Sequence, residues 1–158
     1  MKILAIDPGP TKSAYVIWDG ERILEHDIIP SEDIIKTLEP GRYLSHCAIE
    51  MIACYGMAVG AEVFETCVWI GRFIERWNAY TGGLPLTRIP RKRVALNLCQ
   101  SNRAKDANVR QSLIDRIGPP GRKKEPGPTF GIAGDEWAAL GVAVTAWDEL
   151  HAEAIVWQ

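Results

Sequence analysis

Long hydrophobic runs are missing from this 158-residue sequence: no stretch approaches the ~18 uninterrupted apolar residues that a membrane span needs. No membrane partner is expected. The apolar start, Ile3 to Ile6, is cut off by Asp7 and is too brief for a secretory signal, which points to the cytoplasm. Cysteine is scarce. Cys47, Cys54, Cys67 and Cys99 have no paired short spacing and no partnering histidines. That pattern argues against structural zinc and a disulfide framework, and buried reduced thiols are expected instead. Internal repeats and a linker-like composition shift are absent too, so residues 1–158 are expected to form a single domain. A chain of this length buries about two-thirds of its unfolded surface, enough for one core.

What is present is a segregation of charge. The formal net charge is −2, yet residues 88–124 hold eleven Lys or Arg against two acidic residues, a local balance of +9. The rest of the chain therefore carries −11. A face built for a polyanion and a merely solvated basic surface both account for such a run.

The hydrophobic periodicity changes along the chain. Residues 2–7, 13–18 and 22–29 read as three strands joined by tight turns at Pro8-Gly9-Pro10 and Asp19-Gly20, an antiparallel meander. Ser31 is the expected cap of a short helix that Pro40-Gly41 ends, with Glu32 and Asp33 in its first turn. Residues 45–51 read as a fourth strand. Residues 57–79 follow as a long helix, with Val59, Val63, Cys67, Ile70, Ile74 and Trp77 at helical spacing. Residues 84–89 are the last expected strand, and helices are expected over 91–98 and 104–117. Residues 119–131 hold four of the ten prolines and read as a mobile loop; a closing helix begins near Gly134. Strands first, then alternating helix and strand, predict an α/β fold around one mixed sheet.

Three acids stand where acids cost most. Asp7 ends one apolar strand, Glu50 ends another, and Asp135 opens the apolar helix Trp137-Ala138-Ala139-Leu140. An ionised carboxylate beside a core is expensive unless it is paired, protonated or bound to a metal. Singly, Asp7 reads as a turn cap, Glu50 as an arginine partner and Asp135 as an N-cap. Together they fit one hard-cation site for Mg²⁺ or Mn²⁺, ions suited to phosphodiester cleavage.

Four blocks in order carry a resemblance. Ile3-Leu4-Ala5-Ile6-Asp7-Pro8-Gly9 with Ala14-Tyr15-Val16-Ile17 looks like the first hairpin of RuvC-type Holliday junction resolvases, and Ala48-Ile49-Glu50 resembles their second acidic strand. Ala104-Lys105-Asp106-Ala107-Asn108-Val109 resembles their lysine-bearing helix start, and the stretch from Gly134-Asp135-Glu136-Trp137 to Ala143 their last acidic helix. The resemblance implies an RNase H-like fold, a homodimer, and divalent-metal-dependent cleavage of branched DNA such as four-way junctions. Compact phage-encoded versions, acting in the host cytoplasm, are the most similar in kind. Asp7, Glu50 and Asp135 are then metal ligands and catalytic, and Lys105 is the catalytic cation facing the scissile phosphate. Ala138 stands where the family usually has a further aspartate. Glu136 is a poor substitute, because it points about 100° away around the helix. Ala53 stands where an aromatic often sits, with Tyr55 nearby.

Arg91, Lys92 and Arg93 read as phosphate contacts, as do Arg103 and Lys105 and the loop residues Arg122, Lys123 and Lys124. A solvent-facing role for Lys105 and a plain connector role for residues 122–124 are the ordinary alternatives. Trp69, Trp77, Trp147 and Trp157 read as core or interface residues, and His26, His46 and His151 lie outside every block. Two other functions compete. A catalytically weak junction-binding protein of the same fold would explain Ala138. An actin-like phosphotransferase shares the Asp-x-Gly loop but needs a second lobe for which the chain has no room.

Overall fold

A computed structural model describes residues 1–38, 43–54, 56 and 58–156. The elements run β1 (Ile3–Asp7), β2 (Lys12–Trp18), β3 (Ile23–Pro30), α1 (Ser31–Thr37), β4 (His46–Met51), α2 (Ala61–Thr81) and β5 (Leu86–Pro90). They continue as α3 (Arg91–Cys99), α4 (Asp106–Ile117), β6 (Gly121–Arg122), β7 (Glu125–Pro126) and α5 (Glu136–Val156). The main sheet has the order β3-β2-β1-β4-β5. Its first three strands are antiparallel, while β1–β4 and β4–β5 are parallel, which is the mixed sheet expected from the meander.

Strand β1 lies at the centre of the sheet, and both of its faces are covered. Hence Ile3 to Ile6 are all apolar and fully buried, as strands covered on both sides require. Side chains alternate between the faces. Ile3, Ala5, Ala14, Val16, Trp18 and Ala48 join a core with residues of α3, α4 and α5. Leu4, Ile6, Tyr15, Ile17, Cys47 and Ile49 join a second core with Ile34 of α1 and Ile70, Phe73 and Trp77 of α2. The β1–β2 turn is tight: a Cβ on Gly9 would lie 2.2 Å from the Lys12 carbonyl oxygen, so only glycine fits there.

Several local expectations are corrected. Ser31 is the first residue of α1 and does not cap it; Pro30 holds the cap position. The Ser31 hydroxyl instead meets Ser13 Oγ at 2.8 Å, and the Ser31 N–H donates to Thr11 at 2.9 Å, so the residue ties the helix to the first hairpin. Burial of a hydroxyl without a partner would cost more than a lost cap, and Ser13 supplies that partner. Of the cysteines, Cys47 alone is buried, Cys99 is half-buried, and Cys54 and Cys67 are exposed. Cys67 follows the helical period, but it falls on the outer side of α2, whose buried residues are Thr66, Ile70, Phe73 and Trp77. Residues 119–131 contain the short β6–β7 hairpin, which sets Arg122, Lys123 and Lys124 on an exposed tip. The helix expected from residue 57 begins at Ala61. The expectations placed on Pro40-Gly41, Tyr55, Met57 and Trp157 lie outside the described residues. Among the described residues, no helix is long and apolar enough to cross a membrane.

Candidate active site

Asp7 is the last residue of β1, and Glu50 lies near the end of β4, one step beyond the Ile6–Ile49 pair of these parallel neighbours. The two carboxyls therefore stand side by side at the carboxyl ends of adjacent strands. Asp7 shares its face with Ile3 and Ala5, and Glu50 shares the same face with Ala48. That face is the one covered by α3, α4 and α5, and each of these helices begins there. Arg91 is the first residue of α3, Asp106 the first of α4, and Asp135 directly precedes α5. All five side chains, with Val109, Trp137 and Ala138, line one cavity of about 440 Å³. A smaller recess of about 160 Å³ continues from Asp7, Glu50 and Arg91 to Met51, Ile52 and Ala53.

Local structure explains how Asp135 is aimed. Gly134 adopts a left-handed backbone (φ 51°), which reverses the chain just before the helix. The Asp135 carbonyl then accepts from the N–H groups of Ala138 and Ala139 at 3.0 and 3.1 Å, starting α5. Glu136 is turned the other way, as its helical position predicts. Its Oε1 meets His26 Nδ1 at 2.7 Å, and its Oε2 accepts from the Ala133 N–H at 2.6 Å. His26, which the sequence reading left without a role, thus secures the segment leading to Asp135.

The electrostatics are those of carboxylates crowded out of water. The Asp7 carboxyl is pushed up from 3.8 to about 8, first by burial, then by the charges of Glu50 and Asp135 and a hydrogen bond with Glu50; the Arg91 charge opposes the rise. Glu50 is also raised by burial, while Arg91 and the hydrogen bond with Asp7 pull the other way. Buried acids that resist ionising together are stabilised by a cation between them. The donor set, carboxylate oxygen throughout, fits a hard divalent ion in kind. Among the described residues, no three His, Cys, Asp or Glu side chains are grouped closely enough to hold one ion. Asp7 and Glu50 are the close pair, and Asp135 and Asp106 flank them across the cavity.

Of the residues singled out in the sequence, Asp7, Glu50, Asp135 and Arg91 come together. Lys105 does not join them: it is exposed at the cap position of α4, where its backbone N–H donates to Asn108 Oδ1 at 3.1 Å, and the next residue, Asp106, itself solvent-exposed, lines the edge of the cavity instead. Arg103 is exposed in the turn before α4, and Lys92 is exposed on α3. Arg93 pairs with Glu149 of α5. One residue was missed, Asp106, and with it the ion pair it makes with Arg91. The signal for Asp106 lay in the Ala104-Lys105-Asp106 stretch, one position beyond the lysine at the same helix start.

Taken together, the strand order, the mixed pairing and the helices on both faces define an RNase H-like fold of the RuvC type. No family model matches this chain, and no curated protein does. Among solved structures it is similar to RuvC of Thermus thermophilus, at 17% identity over 97% of each chain with a TM-score of 0.72. It is also similar to T. thermophilus RuvC in complex with a Holliday junction substrate, at 16% identity over 92% of each chain with a TM-score of 0.69. At these identities the likeness is one of fold.

Proposed function

We propose that this protein is a structure-selective endonuclease that hydrolyses phosphodiester bonds in branched DNA, four-way junctions above all, and works as a homodimer. The observation that carries this reading is the meeting of Asp7, Glu50 and Asp135 in one cavity at the ends of two parallel strands. That so similar a fold has been captured on a Holliday junction supports the choice of substrate. Asp7 and Glu50, the close pair, would hold Mg²⁺ or Mn²⁺, with Asp135 facing them across the cavity; the ion when bound would activate water and offset charge on the leaving oxygen.

The remaining work belongs to the chain. Three helix N-termini around the cavity favour an anionic group in it. Lys92, Arg93, Arg103 and Lys105, with Arg122, Lys123 and Lys124 on the hairpin tip, would contact the phosphate backbone and set its register without reading sequence, Arg93 by exchanging its Glu149 partner. A homodimer supplies two matched sites for the two symmetric cuts of a junction. The metal-ligand assignment, the basic contacts and the dimer are parts of this proposal.

The test is incubation of the protein with synthetic junctions, flaps and duplexes in Mg²⁺ and in Mn²⁺, with the cuts mapped. Paired symmetric nicks in the junction are expected, with little cutting of duplex. A second reading, a protein that binds junctions and scarcely cuts them, draws on Ala138 and on the absence of a closed three-ligand group among the described residues. Tight junction binding without nicks in either metal would select it.

A further inference from the structure

We propose that Arg91, rather than Lys105, is the cationic catalytic residue, donating from its guanidinium to a non-bridging oxygen of the phosphodiester seated beside Asp7 and Glu50. This rests on the nuclease reading above and deepens it. Among the described residues, Arg91 is the only base that lines both the main cavity and its smaller recess, together with Asp7 and Glu50 in each. Its Nη2 is engaged by Asp106, and its Nη1 is buried with no hydrogen-bond partner among the described residues. A buried donor left without an acceptor is costly, the more so when charged, so such an atom calls for an explanation. The acceptor that fits is one that arrives with the substrate.

The geometry says what kind of acceptor. A guanidinium held through one nitrogen presents the rest of its fork, a shape that matches phosphate oxygens. The side chain issues from the first residue of α3, with no loop between it and strand β5, so its base is fixed by the sheet. Asp106, first residue of α4, holds the head from the other side. Such an orienting carboxylate keeps the cation from collapsing onto Asp7 and Glu50. In the reaction, a water oxygen bonds to phosphorus and the bond from phosphorus to one nucleoside oxygen breaks, its electron pair leaving on that oxygen. The water proton passes to solvent and the leaving oxygen takes one up, while Arg91 keeps all of its protons. Its contribution is charge that meets the extra negative density on the phosphate as the water adds.

Two measurements test this, and they separate failure of the inference from failure of the nuclease reading. The first is single-turnover cleavage of a junction at saturating protein. Arg91→Ala should lower the rate on the order of a hundredfold, guanidinium ion in solution should restore part of it, and Arg91→Lys should recover only a fraction. Asp106→Asn should lose about tenfold. The second needs no cleavage: binding of junctions that each carry one uncharged methylphosphonate at a phosphate flanking the branch point. Wild type should lose affinity most at one position, and Arg91→Ala should lose that position's penalty while keeping the others. Thermal melts establish that the variants fold, and Arg91→Lys serves if the alanine variant does not. A wild-type rate for Arg91→Ala, or the same methylphosphonate profile as wild type, would overturn the proposal. If wild type cuts nothing, the nuclease reading fails, and the binding profile still decides whether Arg91 meets a phosphate.

Discussion

Two helices of 21 residues each flank the sheet, α2 on one face and α5 on the other, and they are packed in opposite ways. The first half of helix α5 is sandwiched between the sheet and α3 and α4, so it is apolar nearly all round: Ala139, Leu140, Val142, Ala143, Val144 and Ala146 are all buried. Helix α2 buries a single stripe, Thr66, Ile70, Phe73 and Trp77, and leaves Phe64 and Val68 at 61% and 56% exposure. The contrast is between a helix that positions the site and a helix that presents a surface. Small residues on α5 let α3 and α4 approach closely enough for Arg91, Asp106 and Asp135 to meet Asp7 and Glu50. Nothing so close is required of α2.

The largest effect expected of any single change lies on the α5 side. Asp7→Asn should reduce cleavage on the order of a thousandfold, since several kcal/mol of transition-state stabilisation would depend on the cation proposed to bind there. Binding of junction DNA should persist or tighten, because asparagine cannot ionise beside the phosphate. Gel-shift and cleavage assays on the same preparation check both. A variant that still cuts at a normal rate would remove the α5 side from the chemistry.

The same carboxyl gives a pH dependence that the α2 side lacks. The folded value of Asp7 is raised from 3.8 to about 8, so between those values the folded chain holds a proton that the unfolded chain has released. Stability without divalent ions should be full below about pH 4 and fall by a few kcal/mol as pH rises through about 8. Mg²⁺ should shrink that fall, and Asp7→Asn should remove most of it. Denaturant titrations across this pH range, with and without Mg²⁺, measure the slope.

A matched pair of glycines sharpens the packing comparison. A Cβ on Gly141 of α5 would lie 2.9 Å from Val94 Cγ1, with Val109 and Leu98 close behind, whereas one on Gly71 of α2 would meet nothing within 4 Å. Gly141→Val should destabilise by about 1–3 kcal/mol through overpacking. Gly71→Ala should stabilise by about 0.5–1 kcal/mol through helix propensity. Equal responses in chemical denaturation would mean that the two helices are not packed as described. The smallest effect on folding belongs to the outer face of α2. Phe64→Ser with Val68→Ser should change the stability of the isolated chain by no more than about 0.5 kcal/mol. It should still shift the mass measured by light scattering from a dimer to a single chain. An unchanged mass would place the dimer contact elsewhere.

The basic segment shows where local reading misleads. Residues 88–124 carry +9 by count. In the fold, Arg93 turns to Glu149, Arg116 makes a two-pronged contact with Asp148 at 2.7 Å, and Arg91 engages Asp106. Glu149 and Asp148 belong to α5, far along the chain, and no local count includes them. Arg110 lies over the Trp137 ring, 4.9 Å from its centroid. The field that DNA would meet is therefore smaller than the count suggests, and it is concentrated at the exposed hairpin tip and around Arg103 and Lys105.

The sequence by itself determined the five strands of the main sheet, their meander and the two acids at the ends of β1 and β4. These follow from period-two burial, turn glycines and the cost of a carboxylate beside a core, all of which act within a few residues. It also determined that Ala138 cannot ligate and that Glu136 faces away, because helical periodicity is local. Only the tertiary structure decided that Asp106 and not Lys105 lines the cavity, that Arg91 stands there with Asp7 and Glu50, and that His26 secures the approach to Asp135. Those outcomes depend on how the starts of α3, α4 and α5 converge over β1 and β4. That convergence is set by packing between residues distant in the chain, where neighbouring positions such as 105 and 106 differ only in which way they face.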